Sequence, residues 1–101
     1  MYAVRFTWTA EKERANRQKH GISFGTAREV FDDQNHVVLE NYFVQQQGEQ
    51  RYQIIGMTRA LVLLLVVFLD RSAGETEIIH IISARKTNDY EETIYSEASA
   101  R

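Results

Sequence analysis

An unbroken apolar run from Ala60 to Leu69 sets the strongest limit on how this chain folds. It is about half of the ~20 residues that a membrane-spanning helix needs, so it reads as a buried strand over Leu61 to Leu69, with no membrane span. A strand without polar alternation has both faces covered by other parts of the chain. With 101 residues, the chain has room for one domain, 1–101, built on a single core.

A second buried strand is read in Glu77 to Arg85, where Ile78, Ile79, Ile81 and Ile82 supply branched side chains that pack well on a pleated sheet. It ends in two adjacent cations, Arg85 and Lys86. Asn88 and Glu91 then match a capping box, so a last helix starts there, through Tyr95. The hand-over from strand to helix, with Arg85 and Lys86 beside it, suits a phosphate. Strict alternation puts Arg85 on one face with Ile79, Ile81 and Ser83, and Lys86 on the other with Ile78, His80, Ile82 and Ala84.

The remaining elements follow in order. Tyr2, Val4, Phe6 and Trp8 alternate as a short strand with one buried face. Thr9 caps a helix over Ala10 to His20, which Gly21 ends in a left-handed position. Ser23 caps a second helix carrying Phe24, Ala27, Val30 and Phe31 at helical spacing, with Ile22 as a staple. After the polar break Asp32 to Asn35, a strand over His36 to Val44 and one over Arg51 to Met57 flank the turn Gln45 to Gly48 as a hairpin. Asp70 to Thr76, with Gly74, turns into the last strand. The expected fold is α+β in the order β-α-α-β-β-β-β-α, with a mostly antiparallel sheet packed by two N-terminal helices and a C-terminal helix.

Charge and residue usage narrow the function. Net charge is -2, which argues against a general nucleic-acid coat. Yet residues 1–28 carry Arg5, Lys12, Arg14, Arg17, Lys19 and Arg28 against Glu11 and Glu13, so a basic face is compatible with the acidic total; charges that merely solvate a helix give the same pattern. Cysteine is absent, which excludes disulfides and thiolate metal sites and agrees with a cytoplasmic setting. The start, Met1 to Arg5, lacks the apolar segment of a signal peptide. His20, His36 and His80 have no metal-ligand spacing, so neither a metal nor another cofactor is expected.

Several blocks together resemble the BrnT toxins of bacterial type II toxin–antitoxin systems. They are Phe6-x-Trp8, Lys12, Asn16, Lys19-His20-Gly21-Ile22-Ser23-Phe24, Ala27, Val30-Phe31-Asp32-Asp33, Gly48-Glu49-x-Arg51-Tyr52, Ile55-Gly56, Ile82-Ser83-Ala84-Arg85 and Glu91-x-x-x-Tyr95. The resemblance runs from Phe6 to Tyr95. It implies a RelE-like fold and a metal-independent ribonuclease that arrests growth. It also implies a BrnA-type ribbon-helix-helix antitoxin, with DNA reached only through that antitoxin. Two departures stand out: Thr9-Ala10 follows the tryptophan where the family usually has Asp-Pro, and the last helix carries Asp89 and Glu92 where the family is rich in arginine. Weaker salt dependence of RNA binding follows from the second.

Metal-free RNA cleavage needs a base for the 2′-OH, cations for the charge growing on phosphorus, and an acid for the leaving oxygen. His20 can act as base or acid near neutral pH. Lys19, Arg51 and Arg85 can supply positive charge, and an arginine can grip two phosphate oxygens at once. Tyr95 can stack on a base or donate its phenol proton.

Each residue also has a plain structural alternative. Lys19 and His20 end a helix, where cations favour the dipole. Arg51 can pair with Glu49 across the hairpin. Glu91 is a cap, and His80 sits among isoleucines as a structural histidine. Arg85, on a largely apolar face, needs an anionic partner that is either RNA or an internal carboxylate. Tyr90 and Tyr95 diverge on the last helix, one to dock it and one left free. A second possibility at the level of the whole chain is a catalytically weak module that acts only as the antitoxin's partner in operon repression.

Overall fold

A computed structural model of the protein describes residues 3–39 and 51–100. The elements are β1 (Ala3–Thr7), α1 (Ala10–His20), α2 (Phe24–Arg28), a 3₁₀ turn (Glu29–Asp32), β2 (Val37–Leu39), β3 (Arg51–Met57), β4 (Leu63–Asp70), β5 (Thr76–Lys86) and α3 (Asp89–Ser99). This is the expected α+β order. Among the described residues the strands form one five-stranded sheet in the order β1-β5-β4-β3-β2. Only β1 against β5 is parallel; the other pairings are antiparallel.

Strand β4 is covered on both faces, as its lack of alternation requires. Leu64, Leu65 and Val66 are each 1% exposed or less although they point alternately to opposite sides. One face carries the larger core, where Phe24, Ala27 and Val30 pack onto Ile54, Leu64, Val66, Ile79, Ile81 and Ala84. Burying a side chain as large as Phe24 stabilises by about 1.5–3 kcal/mol. Opposite, Tyr95 and Ile94 of α3 cover Ile55 and Leu65.

Local signals set the helix ends. The Thr9 and Ser23 side chains accept from the backbone N–H of Lys12 and Thr26. Gly21 ends α1 with φ 70°. Asn88 and Glu91 complete a reciprocal capping box at the start of α3. The expected second helix is split into α2 and the 3₁₀ turn, a tightening that brings Val30 against β3. There Gly56 leaves no room for a side chain: a Cβ would meet the Val30 Cβ and carbonyl oxygen at 2.8 Å.

Three expectations need correction. β1 is an edge strand whose apolar face is only partly covered: Val4 is 46% exposed, while Phe6 reaches the core edge through Phe31. Leu61 lies outside β4, in the preceding turn, 79% exposed and with φ 63°. Of the strand expected over His36 to Val44, Val37–Leu39 forms β2, while residues 40–44 and the turn Gln45 to Gly48 lie outside the described residues. Finally, the register of β4 and β5 shifts between Val67 and Phe68, which pair with Ser83 and Ile81. Ile82 is the extra residue of a bulge, so the alternation flips there. Ile79, Ile81 and Ala84 share the larger core, whereas Arg85 pairs beside Leu65 on the face that α3 covers.

Candidate active site

The site grows from the way α1 meets β5. Since β1 pairs only with Thr76 to His80, the next stretch of β5 has an open edge among the described residues. Asn16, 6% exposed, closes it: its Nδ2 donates to the Ala84 carbonyl at 3.0 Å and its Oδ1 accepts from the Ala84 N–H at 3.0 Å. The same Nδ2 donates to the Ile22 carbonyl at 3.0 Å. Lys12, Asn16, Lys19 and His20 recur at the spacing of one helix face. Anchoring Asn16 therefore brings the other three alongside Ser83 and Arg85.

A hollow of about 370 Å³ results, lined by Lys12, Asn16, Lys19, His20, Ser83 and Arg85 among others. Lys19 and His20 both reach it although adjacent helix residues point about 100° apart. A second hollow, about 140 Å³, shares Lys12 and Ile82 with the first and adds Arg51, Arg71 and His80. Among the described residues no carboxylate lines either hollow. Of the five residues read from sequence, the structure thus gathers Lys19, His20 and Arg85 in one hollow and sets Arg51 in the adjoining one. A larger hollow of about 480 Å³ lies against α1 at Glu13, Arg14 and Arg17 and contains none of the five.

Arg85 has an internal anionic partner. Its Nη1 and Nη2 donate to the two Glu91 carboxylate oxygens, each at 2.8 Å. Hydrogen bonding to Glu91 raises the Arg85 pKa further and holds the guanidinium charged. The same bonds from Arg85 pull the Glu91 carboxyl below its ordinary value despite burial. Lys86 leaves on the other side, exposed.

Tyr95 lies outside both hollows. It is 8% exposed, and its phenol donates to Asp33 Oδ2 at 2.6 Å. Burial first, then the bond to Asp33, pushes the phenol up to about 12. Burial alone would raise the Asp33 carboxyl, but bonds from Tyr95 and from the Asn35 and Met57 N–H groups outweigh it and lower the pKa. Tyr95 is thus the residue that docks α3, and Tyr90, 75% exposed, is the free one. His80 Nδ1 is hydrogen-bonded to Thr7 Oγ1 at 2.8 Å.

Sequence reasoning missed Lys12 and Asn16 as parts of the site. Their common helical spacing with Lys19 was the available signal. Among the described residues, no group of three or more His, Cys, Asp or Glu side chains gathers as a metal site would require. No helix of the described residues is long and apolar enough to cross a membrane.

The family model described as the ribonuclease toxin BrnT of type II toxin–antitoxin systems matches residues 8–91. The crystal structure of the Brucella abortus ribonuclease toxin BrnT resembles this chain with a TM-score of 0.58 at 21% identity, over 86% of this chain and 99% of that one. At that identity the likeness speaks to the fold. No curated protein matches the chain in sequence.

Proposed function

The chain belongs to the BrnT family of ribonuclease toxins from type II toxin–antitoxin systems, and from that premise we propose that it is a metal-independent endoribonuclease acting at the hollow between α1 and β5. The observation that carries this reading is the set Lys12, Lys19, His20 and Arg85 around one hollow that no carboxylate lines among the described residues. A polyanion is drawn to such a surface, and developing charge on a phosphate is stabilised there.

In the reaction, a base removes the 2′-OH proton and the oxygen attacks the adjacent phosphorus. The bond from phosphorus to the 5′ oxygen breaks, leaving a cyclic phosphate and a 5′-OH once that oxygen takes up a proton. His20 supplies one of the two proton transfers. Lys19 and Arg85 hold the charge on phosphorus, and Arg51 with Lys12 grips the neighbouring backbone. A BrnA-type ribbon-helix-helix antitoxin neutralises the protein in the cytoplasm by covering this cationic surface, and DNA is engaged only through that antitoxin.

Cleavage of a labelled single-stranded RNA in excess EDTA tests the reading. Wild type cuts, while Lys19→Ala and Arg51→Ala fold normally and lose cutting. One observation favours a second reading: Arg85 is already paired with Glu91, and the first turn of α3 adds Asp89 and Glu92. A protein that serves only as the antitoxin's partner would form the complex while leaving every RNA intact.

A further inference from the structure

The pairing of Arg85 with Glu91 uses one edge of the guanidinium. Nη1 and Nη2 each donate to one Glu91 oxygen at 2.8 Å, and Nη1 also donates to the Lys86 carbonyl at 3.2 Å. A guanidinium has five N–H donors in a rigid planar fork. Among the described residues three are engaged by these bonds, which leaves the Nε–H and the second N–H of Nη2. Those two lie parallel on the other edge, spaced to take two oxygens of one phosphate.

The carboxylate that imposes this geometry is itself fixed. Glu91 Oε1 accepts from the Asn88 N–H at 3.0 Å, and the Asn88 side chain accepts from the Glu91 N–H at 2.8 Å. Its side chain is 10% exposed against 38% for Arg85, so the carboxylate is shielded while the guanidinium still meets solvent. Arg85 lines the hollow with Lys19 and His20, and Glu91 does not.

We propose that Glu91 is a positioning residue: it holds Arg85 by one edge so that the opposite edge, Nε–H with Nη2, stands as a fork for one backbone phosphate of RNA. The pairing removes net charge from the site but fixes the direction of two donors. Lys12 and Lys19 provide the charge that the pair no longer supplies. The inference rests on the ribonuclease reading for the identity of the ligand and deepens it at one residue.

The test follows the Arg85 Nε–H resonance of the full-length chain while a single-stranded RNA blocked with 2′-O-methyl groups is added, beside cleavage of the unblocked RNA. Glu91→Gln is the informative variant, because glutamine also completes a capping box and keeps the helix start. The Nε–H signal shifts on RNA binding in wild type and shifts much less in Glu91→Gln. In that variant kcat/KM falls on the order of tenfold to a hundredfold, as misplacement of a catalytic group does, while the protein stays folded at the assay temperature with an unfolding temperature lowered by loss of the carboxylate. A Glu91→Gln protein that cuts and shifts like wild type overturns the proposal. Cutting without any Nε–H shift in wild type overturns the fork and spares the ribonuclease reading. A shift without cutting does the reverse, and no RNA binding at all overturns both.

Discussion

Tyr95 donates its phenol proton to Asp33 Oδ2 at 2.6 Å, and this bond ties the C-terminal helix to the turn that precedes β2. Asp33 also accepts from the Met57 N–H at 2.8 Å and the Asn35 N–H at 2.9 Å, so one carboxylate joins three segments. Tyr95→Phe is expected to cost about 1.5–3 kcal/mol in unfolding free energy, the range for hydrogen bonds to charged groups. Its RNA cleavage per folded molecule stays at the wild-type level. Denaturant unfolding beside a cleavage assay separates the two, and loss of cutting with stability intact would return Tyr95 to the site.

The same contacts set the pH response. Asp33 and Glu91 have lowered pKa values in the folded chain, so their contribution is complete above the unfolded carboxylate range of about 3.9–4.3 and is lost as pH falls through the lowered values. Tyr95 is raised to about 12, so its contribution is complete below the unfolded value of about 10 and is lost as pH climbs toward 12. Unfolding temperature measured against pH falls on both sides. The alkaline fall in that window is reduced in Tyr95→Phe.

Asn16 holds both backbone groups of Ala84, where this edge of β5 has no strand beside it among the described residues. Asn16→Ala leaves that N–H and carbonyl without their partner at a buried position, which costs about 1–3 kcal/mol for each group left unsatisfied. Because α1 is anchored there, the variant also weakens RNA cleavage. Hydrogen exchange at the Ala84 amide reads the local opening directly, and unchanged protection would refute the edge-closing role.

Gly56→Ala pushes a methyl group into Val30 at 2.8 Å, against backbone as well as side chain. Overpacking of this kind costs about 1–3 kcal/mol. Thermal unfolding checks it.

The elements were legible in sequence because each carries its own local signal. Thr9, Gly21, Ser23 and the Asn88–Glu91 box mark helix ends through backbone hydrogen bonding, and β4 declares two covered faces by having no polar residue before Asp70. Arg85 was legible as a charge needing an anion, but not which one, since Glu91 reads equally well as a cap; the structure has it do both. The bulge at Ile82 was not legible, because isoleucines on both sides of His80 hide where β5 gains a residue. Nor was the tie from Tyr95 to Asp33, a contact made by tertiary packing across the chain.

Lys12 lines both cationic hollows and has no ion pair among the described residues. Lys12→Ala therefore weakens RNA binding and reduces the slope of log affinity against log salt by about 0.7, the value for one phosphate contact on a single strand. Titrations at several salt concentrations measure the slope, and an unchanged value would place the RNA elsewhere.

The most direct test of the central claim is cleavage, in excess EDTA, of an RNA carrying a single 2′-deoxy nucleotide at the position where the all-ribose strand is cut. Attack by the neighbouring 2′-OH predicts cyclic-phosphate and 5′-OH ends from the all-ribose strand and no cut at the deoxy position. Cutting at the deoxy position, or cutting that EDTA abolishes, would contradict the account.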